Sequence, residues 1–154
     1  MRCALVVGIL AVACGVLADE HGGKDAALFT ADAIQWGDAP PSLPRGAKFA
    51  VLEGDPSKPM PFVMRLKMPD GYKIAAHTHP AVERVTIISG TMALAMGDDL
   101  DLKKARKMTA GSFGFWPAGM KHLVWAEGET VVQLHGTGPW AINYVNPADD
   151  PRNK

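Results

Sequence analysis

The sequence predicts an all-β barrel, and three features carry that expectation. Short apolar runs recur between turn residues from Phe49 onward, as a barrel of short strands requires. No stretch of useful length repeats its apolar residues at the three-to-four spacing of an amphipathic helix. His77 and His79 stand two apart, a spacing that puts both side chains on one face only where the backbone is extended and their Cα atoms are roughly 6–7 Å apart.

Residues 1–18 have the form of an export signal: a positive Arg2, an apolar stretch from Ala4 to Leu17, and small Ala18 with Val16 two before it. As a helix, Cys3 to Ala18 would cover only about 24 Å against a hydrocarbon core of roughly 30 Å, so no stable membrane span is expected. Ala11-Val12-Ala13-Cys14 loosely resembles a bacterial lipoprotein site, but Ala11 stands where Leu is usual and apolar residues continue past Cys14. Cleavage after Ala18 would make the mature protein secreted or periplasmic and would remove both cysteines. Any metal site would then use nitrogen and oxygen donors alone. Residues 19–35 are polar and without a clear period, which reads as a flexible lead-in, and His21 within it as an incidental exposed side chain. The barrel domain is expected over 36–154, entered by a proline-stiffened stretch from Pro40-Pro41 to Pro44.

Strands are expected at Ala50–Leu52, ended by Gly54-Asp55-Pro56, and at Phe62–Lys67, ended by Pro69-Asp70-Gly71. Further strands follow at Tyr72–Thr78, Glu83–Ile88, Thr91–Met96, Ser112–Trp116, His122–Ala126, Thr130–His135 and Trp140–Val145. A short helix or turn is expected from Leu102 to Lys107. The net formal charge is zero, and Asp98-Asp99 and Lys103-Lys104 are short enough to be solvated surface. Nucleic acid is therefore not an expected partner.

Four residues suggest chemistry: His77, His79, Glu83 and His122. The first three lie in Gly71-x5-His77-x-His79-x3-Glu83-x6-Gly90, and the fourth in Gly111-x5-Pro117-x-Gly119-x2-His122. Glu83 follows the Pro80-Ala81-Val82 bend at an even offset from His79, which permits a return to the same face. His122 must arrive from a distant strand, aimed by the Pro117-Ala118-Gly119 turn. Three neutral imidazoles and one carboxylate suit Fe, Mn, Ni, Co, Cu or Zn better than Ca or Mg. They leave a divalent ion with net positive charge and open positions for an anionic oxygen donor.

These two segments match both halves of the cupin motif, and the chain resembles a single-domain cupin. The resemblance implies a jelly-roll (double-stranded β-helix) barrel in which His77, His79, Glu83 and His122 bind one divalent transition metal. The family pattern often has Asn four residues past the last His, where this chain has Ala126. That change bears on a local hydrogen bond, not on a ligand. Similarity to cupin dioxygenases and oxalate oxidases implies an exported metal-dependent oxidoreductase acting on a small, oxygen-rich or anionic molecule. A Zn or Mn Lewis-acid enzyme (hydrolase, isomerase or decarboxylase) and a non-catalytic binding or sensing module are the alternatives. Pairing into homodimers is implied by the resemblance alone.

Strand parity extends the picture. If His122 faces inward, so do Val124 and Ala126, while Leu123 and Trp125 pack outside; from Glu83, Val85 and Ile87 continue inward. His135, with Gln133 on its face, is a candidate proton shuttle or support behind the ligands, and Arg65 a candidate clamp for a substrate carboxylate. The alternative for each is a strand-surface position. Trp36, Trp116, Trp125 and Trp140 read as core or interface, and the methionines as core filler.

Overall fold

The computed structural model describes residues 26–98 and 100–154. The export and lipoprotein readings, His21, both cysteines and the start of the lead-in lie outside the described residues. Among those described, no helix is long and apolar enough to cross a membrane.

Within the described residues, nine strands form one curled antiparallel sheet: β1 (Gly37–Asp38), β2 (Lys48–Gly54), β3 (Pro61–Met68), β4 (Lys73–Thr78), β5 (Glu83–Met96), β6 (Arg106–Thr109), β7 (Phe113–Trp116), β8 (His122–Thr137) and β9 (Asn143–Tyr144). The all-β expectation is met. β3 shows why the sequence folds this way: Phe62, Met64, Leu66 and Met68 alternate with more exposed neighbours and are all buried, so one face of the strand enters the core.

The architecture turns on two long strands. β5 and β8 pair from Arg84↔His135 through to Met96↔His122, with register shifts around Ser89 where both bend. The other edge of β8 is shared: its C-terminal half pairs with β3 and its N-terminal half with β4. Each long strand is thus exchanged between two neighbours along its length, and the sheet closes around one apolar interior.

The expected strand pairs 83–88 with 91–96, and 122–126 with 130–135, are each one continuous strand, because the turn-like residues between them bend the ladder without ending it. The expected helix or turn at 102–107 is a single 3-10 turn over Leu102–Lys104, capped by Asp101, followed by β6. β6 was not expected because Arg106-Lys107-Met108-Thr109 lacks an apolar face; it pairs with β5 alone and is mostly exposed. The stretch 140–145 yields only the two-residue β9.

The proline-rich approach lies across the mouth of the barrel. The Tyr72 hydroxyl donates to the Pro44 carbonyl at 2.5 Å and the Tyr144 hydroxyl to the Ser42 carbonyl at 2.8 Å. Tyr72, just before β4, and Tyr144, in β9, therefore fasten a segment whose backbone has no ladder of its own.

Candidate metal centre

His77, the penultimate residue of β4, is the cross-strand partner of His122, the first residue of β8. His79 lies one residue past the end of β4, and Glu83 opens β5 opposite Trp116 of β7. The fold thus brings all four residues to one place, and all four are buried. One nitrogen from each of the three imidazoles lies within 4.8 Å of the other two.

Backbone carbonyls set the tautomers. His77 Nδ1 donates to Ala75 O at 2.7 Å, His79 Nδ1 to Ala141 O at 2.7 Å, and His122 Nδ1 to Met120 O at 3.0 Å. A carbonyl can only accept, so each Nδ1 carries hydrogen and each Nε2 of a neutral ring presents a lone pair. His79 Nε2 and His122 Nε2 stand 3.2 and 3.1 Å from Glu83 Oε2. Among the described residues the His79 nitrogen has no hydrogen-bond partner, since with its hydrogen on Nδ1 it has none to donate to the carboxylate.

Lone pairs turned toward a buried carboxylate repel one another unless a positive charge lies among them. A divalent metal held by His77, His79 and His122, with Glu83 alongside, satisfies every one of these groups. The donor set of imidazole nitrogen and carboxylate oxygen, with no thiolate, fits a first-row transition metal. Glu83 is oriented in turn by the Trp116 indole, whose Nε1–H donates to Oε2 at 2.5 Å.

Burial, reinforced by the neighbouring His122 and His79, pushes the His77 imidazole down from 6.5 to about 3. For Glu83, burial alone would raise the carboxyl, but hydrogen bonding and charge from His122 and His79 whenever their Nε2 atoms carry a proton outweigh it and hold it below the usual carboxylate range. Both shifts act in the same direction on stability. The unfolded chain protonates His77 near 6.5 while the folded protein resists until about 3, so between those limits the unfolded state holds the extra proton and stability falls as pH falls. Glu83 adds to the loss once pH drops below its unfolded value. After chelation, urea unfolding at pH 5 is expected to show roughly 2 kcal/mol less stability than at pH 7, from about 1.4 kcal/mol per pH unit per proton. Equal midpoints at the two pH values would contradict a buried neutral His77.

Above the cluster lies a cavity of about 250 Å³. Val85 and Val124 line it, in keeping with the inward parity of Glu83 and His122; Ala126 and Ile87 are buried in the same core. Leu123 is buried as well, outside that core cluster, and Trp125 is half-buried.

Arg65, Gln133 and His135 are not brought to the cluster. Their strand neighbours Met64, Leu66, Val132 and Leu134 line the cavity, which puts these three on the outer face of the sheet. There Arg65 Nε donates to Gln133 Oε1 at 3.0 Å, and His135 lies parallel to Phe113 with ring centroids 6.3 Å apart.

Two tryptophans do more than the sequence suggested. Trp116 is buried, as a core residue should be, yet its indole also fixes Glu83. Trp140 stacks on His79 with centroids 4.1 Å apart and planes 17° from parallel. The Glu83↔Trp116 register would have revealed the first, but pairing between strands this far apart in sequence is not readable from composition or spacing.

Solved structures similar to this chain share its fold. The polyketide cyclase RemF from Streptomyces resistomycificus is 13% identical, with 82% of this chain and 90% of that one covered and a TM-score of 0.64. An acetylacetone dioxygenase from Acinetobacter johnsonii is 16% identical, with 84% and 83% covered and a TM-score of 0.62. An RmlC-like cupin from Shewanella frigidimarina is 12% identical, with 73% and 91% covered and a TM-score of 0.57. At such identities the likeness is one of fold, and it makes the curled sheet a cupin jelly roll. No curated protein matches the sequence. A family model described as a domain of unknown function, DUF4437, matches residues 21–143, most of the chain. The protein therefore belongs to the DUF4437 family, which it carries on a cupin fold.

Proposed function

We propose that the protein is a metal-dependent oxidoreductase of the dioxygenase kind, acting on a small organic molecule that presents an oxygen donor to the ion. One observation carries this reading: three imidazoles, each with its Nδ1 bonded to a backbone carbonyl, converge beside a buried carboxylate in the wall of an apolar cavity. His77, His79 and His122 would hold the metal, with Glu83 as the anionic member of the set. A bound Fe, Mn, Ni, Co or Cu would supply Lewis acidity toward the donor oxygen and electron exchange with O2. The chain's own groups do the rest. The Ala75, Ala141 and Met120 carbonyls lock the imidazole orientations, Trp116 fixes Glu83, and the aliphatic wall excludes water from the reacting face. The acetylacetone dioxygenase fold among the similar structures supports the same class. Export through residues 1–18 belongs to the proposal, and N-terminal sequencing of exported protein should begin at Asp19.

A second reading, a binding or sensing module without catalysis, is favoured by the wall itself: among the described residues, no lining side chain beyond the four of the cluster is ionisable. Elemental mass spectrometry of untagged protein from its native compartment separates the two. Stoichiometric Fe, Mn, Ni or Cu, followed by O2 consumption with a panel of enols and catechols, is the expected result. Stoichiometric Zn would move the assignment to Lewis-acid chemistry or sensing. Absence of O2 uptake with every first-row metal would sink the dioxygenase reading.

A further inference from the structure

The cavity wall specifies the ligand more narrowly than the metal centre does. We propose that the site takes a single-headed ligand: one anionic oxygen group at the cluster, attached to an uncharged apolar body of about ten non-hydrogen atoms. This rests on the reading that the imidazoles hold a metal.

The size follows from the volume. A dry apolar cavity of about 150 Å³ accommodates benzene, so about 250 Å³ accommodates a ring plus a short substituent or a branched chain of similar bulk. The chemistry follows from the lining. Met64, Leu66, Met68, Met92, Val132 and Leu134 present only carbon and sulfur, and among the described residues no Lys, Arg or Asp lines the cavity. Arg65, between the lining residues Met64 and Leu66, is turned to the outer face and engaged with Gln133. Of the two serines at the mouth, Ser57 already donates its hydroxyl to Asp55 at 2.7 Å. A second carboxylate or a phosphate on the ligand would therefore lose its hydration and meet no counter-charge. Three methionines in the wall let it adapt to flat or branched bodies, so shape is selected less strictly than charge.

Calorimetric titration of the metal-loaded protein with acetate, benzoate and terephthalate tests this. These share a carboxylate head and differ by an apolar ring, then by a second charge on that ring. Benzoate is expected to bind at least 10-fold more tightly than acetate, and terephthalate at least 10-fold more weakly than benzoate. In a parallel arm, toluene is expected to raise the melting temperature of the chelated protein. Equal affinity for acetate and benzoate, or terephthalate as tight as benzoate, overturns the ligand class while the metal reading stands. Toluene binding with no metal-dependent gain from a carboxylate overturns the metal reading, and with it the anionic head, while the apolar body stands.

Discussion

Replacing His122 with alanine is expected to reduce bound metal from about one ion per chain to a trace after dialysis, as measured by elemental mass spectrometry. His122 is the most buried of the four cluster residues and the cross-strand partner of His77. Its removal takes one of three converging nitrogens from the centre of the set. Losing an outer partner of a ligand costs roughly 10- to 100-fold in metal affinity, and losing a ligand outright should cost more. His77→Ala and His79→Ala should behave alike, since each of these rings is also held by one carbonyl and presents one nitrogen. Glu83→Gln should differ. It keeps the shape and the acceptor for Trp116 but removes the negative charge, so binding should weaken less, or the preferred metal should change. The circular dichroism spectrum reports whether the barrel survives each change. Normal occupancy in all three histidine variants would remove the site assignment altogether.

The cluster was legible in the sequence because metal ligation demands particular side chains at particular offsets, and those offsets survive as spacing. His77-x-His79 needs extended backbone; the structure supplies it, with His77 inside β4 and His79 just beyond its end. What surrounds the cluster was less legible. Arg65, Gln133 and His135 have chemistry that suggested a role near the ion, but parity along β3 and β8 puts them outside. Their faces are set by long-range register, such as Arg65↔Gln133, that no local pattern encodes. Trp116 was hidden for the complementary reason: its bulk explains its burial completely, and its single N–H acquires a function only once Glu83 is placed opposite. Fold class depended on local alternation and was accessible. The fusion of four expected strands into β5 and β8 was not, because a bent ladder and two separate strands share the same turn residues.

Gly90, the last fixed position of the first motif segment, shows the same limit and gives the largest expected effect on stability. In sequence it resembles Gly71, which opens that segment, and both adopt left-handed backbone, with φ of 77° and 72°. Their surroundings differ. A methyl group on Gly71 would meet nothing within 4 Å. On Gly90 it would overlap the Glu129 carbonyl oxygen and lie 2.5 Å from Thr130 Oγ1 and 2.7 Å from Thr130 Cα. That is where β5 and β8 bend together, and the fully buried Thr130 hydroxyl stitches the bend by accepting from Thr91 N at 3.1 Å and reaching Thr91 O at 3.0 Å. Gly71→Ala should therefore cost only the left-handed penalty of about 1–2 kcal/mol. Gly90→Ala adds overpacking of roughly 1–3 kcal/mol against backbone that cannot move without breaking the ladder. At about 2–4 °C per kcal/mol, scanning calorimetry should show Gly90→Ala melting on the order of 10 °C below the parent and Gly71→Ala only a few degrees below. The bend also fixes how the two halves of β5 and β8 face each other, and Glu83 and His122 sit at opposite ends of those pairings. Gly90→Ala should therefore weaken metal retention in whatever fraction stays folded, whereas Gly71→Ala should leave it intact. Equal melting of the two variants would mean that the bend relaxes freely and that Thr130 does not hold it.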